Sequence, residues 1–314
     1  MNANIETCCP ACGGAESTIL ETIDLLEQHT HYAPDNSAHQ VKLASAARVS
    51  SEGYRMCRCS SCQLEFAFPL VSPSPDWYYL AYQILKLYPT TRWEYGAVQS
   101  ALGPKARVLD IGCGNGEFLL HCREAGIRAR GVDFSSSAVA DCVGRGLDAT
   151  TFDLGAAEIP GCGDITDFVA FHLLEHLSAP DEFLRVLGRC AAQGSKLWIA
   201  VPSPNRPSRL FGERDFLDQP PHHMTRWTAA AFAKLAERTG WSLRQTIMEP
   251  ISARTAVWST TIRSPQYNTL ITKESGRLFE TLVRLALTPL AVADWALRRR
   301  TMSGFTLLVQ CIRP

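Results

Sequence analysis

The sequence predicts an α/β fold: a doubly wound, seven-stranded, mostly parallel sheet, preceded by a small cysteine-knuckled module and carrying a helical insertion before its last strand. Three observations lead there. Strand-like apolar runs alternate with helix-like periodicity from residue 107 onward, the pattern of βαβ units. One short apolar run, 108–111, passes through a glycine-rich bend into a helix. Six cysteines fall in two tight groups before residue 63.

The elements follow in order. Residues 1–75 hold the cysteine groups and end in Leu70-Val-Ser-Pro-Ser-Pro75, whose prolines mark a connector. Residues 76–102 carry a helix-compatible aromatic pattern (Trp77, Tyr78, Leu80, Tyr82, Ile84, Leu85) that predicts a helical lead-in over one sheet face, closed by Gly103-Pro104. Strands are then expected at 107–111, 129–133, 149–152, 167–171 and 196–201, with helices at 117–125, 136–145 and 181–191. A further helix at 228–239 and strands at 241–248 and 305–312 complete the sheet. The expected division is therefore 1–75, 76–250 and 251–314. Within the insertion 251–303, the apolar run 278–297 ends in Arg298-Arg299-Arg300, a composition that suits peripheral contact with a membrane surface over 278–300. Glu280, Arg284, Pro289 and Asp294 interrupt it, which argues against a transmembrane helix and favours a helical cap or dimer face; the oligomeric state stays open.

The 314 residues are 46% hydrophobic, enough to build a large buried core plus a small accessory module. Lys+Arg and Asp+Glu both total 31, so no broad field draws the chain to nucleic acid or an anionic membrane. Met1 to Pro10 lack a basic stretch followed by an apolar one, so no secretory signal is expected and the protein is placed in the cytoplasm. In that compartment Cys113, Cys122, Cys142, Cys190 and Cys311, scattered through core segments, read as reduced small hydrophobes without a disulfide framework.

Cys9-Pro-Ala-Cys12 and Cys59-Ser-Ser-Cys62 each offer two thiolates on a tight turn, and two such knuckles make a closed tetrahedral site for structural zinc. The module is thus zinc-ribbon-like. Cys8 and Cys57 read as spare, and the long segment between the knuckles requires an inserted hairpin or loop, with His29, His31 and His39 as lesser ligand candidates.

In Val108-Leu-Asp-Ile-Gly-Cys-Gly-Asn-Gly-Glu-Phe-Leu119, Gly112, Gly114 and Gly116 let the backbone bend and approach a ligand at the carboxyl end of a strand. The spacing is G-x-G-x-G, not the G-x-G-x-x-G of pyrophosphate binders, and Asp110 precedes the first glycine. A carboxylate there repels a diphosphate and suits a cation; S-adenosylmethionine carries a sulfonium and an ammonium and no phosphate. Gly131-Val-Asp133 ends the next strand with a carboxylate that can accept from both ribose hydroxyls.

These residues resemble the first two motifs of class I S-adenosylmethionine-dependent methyltransferases, whose Rossmann-like fold is the one predicted above. The resemblance implies a cofactor set of Asp110, Gly112, Cys113, Gly114, Gly116, Asp133, Phe134, Asp153 and His172, with Asp153 at the adenine amino group. Phe168-Val-Ala-Phe-His-Leu-Leu-Glu-His176 is similar to the family's fourth-strand motif. Pro220-Pro-His-His-Met-Thr-Arg-Trp227 resembles a segment of one branch that also carries an amino-terminal double-CxxC module, so the likeness covers most of residues 1–249. In some relatives acting on catechol-like acceptors an acid replaces His172 and joins the Glu-His pair on a divalent ion; the histidine here departs from that pattern.

Because such a cofactor supplies its own electrophile, the protein mainly positions the acceptor and removes its proton. Imidazoles suit that task, which makes His172, His176, His222 and His223 the catalytic candidates. Glu175 and His176 fit equally a hydrogen-bonded pair at a helix start, and His222 and His223 fit loop hydrogen bonds. The expected activity is methyl transfer to oxygen or carbon of a small molecule, such as a sugar or secondary metabolite. Its rivals are an RNA methyltransferase using the zinc module, and a non-catalytic cofactor-binding or interaction protein. Residues 13–56 hold only Lys42, Arg48 and Arg55 as basic side chains, without the basic and aromatic interleaving of nucleic-acid binders.

Overall fold

The central strands form because their residues are apolar on both faces. Val108, Leu109 and Ile111 are all buried, as are Leu197 to Val201, which is what a parallel sheet covered by helices on both sides demands. The computed structural model of the chain describes residues 4–48, 53–85, 92–152, 159, 162–210, 212, 215–263, 265–271 and 276–314.

In chain order the elements are β1 (Asn4–Glu6), β2 (Glu16–Ile23), α1 (Leu25–Tyr32), α2 (Ser37–Ala46), β3 (Tyr54–Cys59), β4 (Glu65–Phe68), α3 (Pro75–Leu85) and α4 (Trp93–Ala101). They continue with β5 (Arg107–Ile111), α5 (Glu117–Glu124), β6 (Arg128–Asp133), α6 (Ser136–Gly144), β7 (Ala149–Thr151), β8 (Asp167–Phe171), α7 (Pro180–Cys190) and β9 (Lys196–Pro202). The remainder are α8 (Pro207–Leu210), β10 (Thr225–Arg226), α9 (Ala229–Thr239), β11 (Ser242–Met248), α10 (Ala253–Arg263), α11 (Pro265–Leu270), α12 (Arg277–Arg298) and β12 (Thr306–Ile312).

The large sheet has the order β11-β12-β9-β8-β5-β6-β7, so the chain winds outward from β5 to β7 and then returns to β5's other side. The contacts β5–β6, β6–β7, β5–β8 and β8–β9 are all parallel, with Val108 opposite Ala129 on one side and Asp167 on the other. The reversal of winding beside β5 opens a crevice at the carboxyl ends of the strands, where open α/β sheets take their ligands. Helix starts are capped as their sequences ask: the Ser135 hydroxyl accepts from the Ala138 N–H and the Thr228 hydroxyl from the Ala231 N–H. Gly240, at φ 77°, ends α9 in a left-handed turn. The seven strands and their order agree with the expected doubly wound fold.

The second sheet has the order β1-β2-β3-β4-β10 and carries both cysteine knuckles. Its fifth strand comes from far along the chain: Thr225 pairs antiparallel with Phe66 and Arg226 with Glu65. The segment between the knuckles is not a simple hairpin, since α1 and α2 intervene before β3 returns alongside β2. Met56, Ala67, Trp77, Leu43 and Met224 share one apolar core beneath this sheet. Among the described residues the helical lead-in holds two helices, α3 and α4. Cys190, expected as a lone thiol, is instead joined to Cys162 by a disulfide, because the fold brings the end of α7 beside the segment before β8.

The chain divides into two compact units: Met1–Val201 with Phe216–Ile247 and Leu308–Pro314, and Pro202–Asp215 with Met248–Leu307. The second unit is built on α10 packed against α12, with Trp258 and Trp295 lining a groove between them. α12 keeps the ion pairs Glu280–Arg284 and Asp294–Arg298 at i,i+4 spacing while Leu278, Leu285, Leu290 and Leu297 stay exposed. No helix among the described residues is long and apolar enough to cross a membrane.

Candidate active site

The bend after β5 takes the conformation its glycines permit. Gly112, Gly114 and Gly116 have φ of 75°, 53° and 80°, all in the left-handed region that a Cβ disfavours. At Gly116 a Cβ would also lie 2.7 Å from both Cys142 Sγ and Leu147 Cδ1, so only glycine lets α5 start there. Gly131 on β6 is held as tightly, since a Cβ would meet Cys113 Sγ at 2.6 Å. Cys113 is therefore a buried packing group beneath the bend.

Asp133, at the end of β6, ties the bend to the next loop. Its Oδ2 accepts from the Gly114 N–H at 2.8 Å and its Oδ1 from the Ser135 N–H at 2.8 Å. Each oxygen keeps a second lone pair, so the carboxylate retains capacity for ligand hydroxyls. Phe134 beside it is 41% exposed, an aromatic face left in solvent next to a buried acid. Asp110 is buried, and burial, with the charge of Asp133, pushes its pKa up to about 8. Burial likewise raises Asp133, opposed by its bonds from Ser135 and Gly114. Two buried acids that resist joint ionisation form a donor set that fits a cation and rejects a diphosphate. Asp153 lies outside the described residues.

His172 follows β8 with φ 50°, a left-handed conformation that costs on the order of 1–3 kcal/mol in a non-glycine residue. Its ring is clamped by two buried carboxylates, with Nε2 3.0 Å from Glu94 Oε1 and Nδ1 3.3 Å from Glu175 Oε1. Burial alone would lower its pKa, but the bonds to Glu175 and Glu94 outweigh that and raise it. Both carboxyls are lowered against their own burial by the same histidine. Each ring nitrogen thus faces a carboxylate oxygen, an arrangement that favours the protonated imidazole.

The other three histidines converge. A single 3-10 turn (Leu174–His176) carries His176 off the end of β8. The Pro220–Trp227 segment returns beside it, held by the Met224 N–H to the Glu175 carbonyl at 2.7 Å and by the Ala67 N–H to the Met224 carbonyl at 2.8 Å. Ring centroids lie 4.8 Å apart for His176 and His222, 4.9 Å for His176 and His223, and 4.5 Å for His222 and His223. His176 is 9% and His222 5% exposed. Burial, then the neighbouring His222 and His223, holds the pKa of His176 well below its usual value, so it is neutral. Tyr78 completes the wall, its ring edge-on to His176 at 5.3 Å.

Cys9, Cys12, Cys59 and Cys62 form one group whose sulfurs all lie within 4.8 Å of one another. Cys9 and Cys62 are 3.6 Å apart and Cys12 and Cys59 3.5 Å. Tetrahedral zinc at about 2.3 Å from each thiolate would set the sulfurs about 3.8 Å apart, so the donor set fits that ion. The Gly14 N–H points at Cys12 Sγ, 3.4 Å away. No histidine joins the group; His29 instead accepts from the Trp77 indole N–H.

The structure thus brings the glycine bend to Asp110 and Asp133, and His176 to His222 and His223, while His172 belongs to a separate carboxylate clamp. Sequence reasoning missed Glu94, which bears no motif and reaches His172 only through the packing of α4. It also missed Asp218, whose Oδ1 is 3.2 Å from His223 Nδ1, and Arg226, which ion-pairs with Asp218, Glu65 and Glu21. The arginine three residues past the paired histidines was the available signal for Asp218.

Residues 81–246 match the family model described as a methyltransferase domain. Ajmaline N-methyltransferase of Rauvolfia serpentina is 33% identical over 100 residues, covering 29% of this chain and 34% of the relative. A tabtoxin biosynthesis enzyme of Pseudomonas amygdali pv. tabaci is 30% identical over 118 residues, covering 36% and 47%. The chain therefore spans between a third and a half of the length of these curated relatives. The crystal structure of an S-adenosylmethionine-dependent methyltransferase from Archaeoglobus fulgidus is similar at 19% identity and a TM-score of 0.48, over 76% of this chain and 100% of that one. With more than half its length matched by the family model, the chain belongs to the methyltransferase-domain family.

Proposed function

We propose that this protein is an S-adenosylmethionine-dependent methyltransferase that methylates oxygen or carbon of a small molecule. The observation that carries the reading is the pair of buried acids, Asp110 and Asp133, at a glycine bend on the carboxyl end of β5. When bound, S-adenosylmethionine supplies an electrophilic methyl group on a cationic sulfur. Asp133 is assigned to the ribose hydroxyls, Phe134 to the adenine face, Asp110 to the cationic tail, and Gly112, Gly114 and Gly116 to close backbone approach. Asp153 stays assigned to the adenine amino group.

His172, each of whose ring nitrogens faces a carboxylate oxygen, is assigned to orienting the end of β8 rather than to taking a proton. Proton removal falls to the cluster of His176, His222 and His223, in which His176 is held neutral by burial. That favours an acceptor whose O–H or C–H must lose its proton, since a neutral amine attacks through a lone pair it already has. The name of one relative, which gives ajmaline as the methylated compound, supports a small acceptor. The four cysteines are assigned to structural zinc, and residues 1–75 to a module whose sheet is completed by β10 and so supports the histidine loop.

Incubation with methyl-labelled S-adenosylmethionine should label hydroxylated or carbon-acid small molecules and leave bulk RNA unlabelled; label on RNA alone would sink the small-molecule reading. Asp110 adds a pH signature. Its carboxyl, raised to about 8, carries a proton that a cationic ligand displaces, so affinity rises with pH and levels off above about 8. The limiting slope is about tenfold per pH unit. Calorimetry across pH on wild type and Asp110→Asn should show this component only in wild type, and equal slopes in the two proteins contradict the assignment.

A further inference from the structure

The three clustered histidines share a hydrogen-bond pattern that proton removal does not require. His176 Nδ1 is 2.6 Å from the His222 carbonyl oxygen, His222 Nδ1 is 2.8 Å from the Leu217 carbonyl oxygen, and His223 Nδ1 is 3.2 Å from Asp218 Oδ1. Two of these acceptors are carbonyls and the third is a carboxylate within 3.2 Å of the Arg226 guanidinium, so in each ring Nδ1–H is the donor. In its neutral form each of the three imidazoles therefore holds its lone pair on the same atom, Nε2. A ring whose far nitrogen donates to a carbonyl or carboxylate is the arrangement that fixes the tautomer of a metal-ligating histidine. One ring nitrogen of each histidine lies within 4.8 Å of one from each of the others, and the rings come from two segments pinned together through Met224 and Glu175.

We infer that His176, His222 and His223 form a three-nitrogen site for a divalent first-row transition ion such as zinc or cobalt, separate from the four-cysteine group. Imidazole ligands suit such ions, and three protein ligands leave a coordination position for a non-protein oxygen. With metal–nitrogen bonds of about 2.0–2.1 Å and tetrahedral angles, the nitrogens would lie about 3.4 Å apart, so side-chain rotations on the order of 1 Å close the site. The Arg226–Asp218–His223 chain orients one ligand from behind. Binding of the ion stands on this geometry alone; with the three lone pairs engaged, lowering the pKa of the acceptor's hydroxyl would replace direct proton capture by the rings, and that task rests on the proposed function.

The test uses tag-free, full-length protein holding one equivalent of zinc, titrated with Co2+ and followed by metal analysis and visible absorption. The expected result is one further equivalent per chain, with ligand-field bands and no thiolate-to-cobalt charge transfer. His223→Ala and His176→Ala should lose that equivalent while keeping the zinc, and Asp218→Asn should weaken it by about 10–100-fold. Wild type that takes up no second equivalent, or takes it up only with thiolate charge transfer, overturns the site, as does uptake unchanged in both alanine variants. None of these readouts involves S-adenosylmethionine, so the site can fail while cofactor binding stands.

Discussion

Replacing both loop histidines, His222→Ala/His223→Ala, is expected to lower the rate of methyl transfer by about 10²–10⁴-fold, the usual contribution of a positioned proton acceptor. S-Adenosylmethionine affinity should change little, because the glycine bend, Asp110 and Asp133 belong to β5 and β6 while the histidines lie on the Pro220–Trp227 loop. The fold should persist, since the loop is held by the Met224 N–H and by the strand pairing of Thr225 and Arg226, none of which the substitutions remove. The check is single-turnover transfer beside calorimetry on the same preparation. A double variant that transfers at the wild-type rate removes these histidines from the chemistry.

Stripping zinc should have the larger structural effect. Structural zinc in small modules contributes an apparent 10–16 kcal/mol, on the order of or above the 5–15 kcal/mol that stabilises a whole domain. Chelation or Cys12→Ser is therefore expected to unfold the β1-β2-β3-β4-β10 sheet. Because β10 begins two residues past His223, the loss should reach the histidine loop and abolish transfer as well. Hydrogen exchange gives the readout: amides of β3 and β4 should lose protection while those of β5 and β8 keep it. A chelated protein with full protection and full activity would show that the thiols need no ion.

Local chemistry made much of this legible from the sequence. Much of the large sheet could be read because β5, β8, β9 and β12 are mostly apolar runs that alternate with segments of helical periodicity. The glycine bend could be read because spacing and the acid at 110 together restrict the ligand. The cysteine knuckles were equally plain, as each brings two thiolates within three residues. What escaped was set by long-range pairing. Thr225 and Arg226 form a strand only because β4 offers an open edge, and nothing in a two-residue run announces that. Glu94 acquires meaning only when α4 delivers it to His172. The Cys162–Cys190 pair, likewise, depends on where α7 ends. The two carboxylates that close on His172 escaped as a pair, because one of them arrives on a helix far away in the chain.

Titration calorimetry of S-adenosylmethionine into zinc-loaded wild type and Asp133→Ala tests the cofactor assignment most directly. Saturable one-site binding to wild type is expected, weakened in Asp133→Ala by the loss of charge-assisted bonds worth about 1.5–3 kcal/mol, roughly 10–150-fold. Equal affinity in the two folded proteins, or heat from neither, would contradict a nucleoside sulfonium held at the carboxyl ends of β5 and β6.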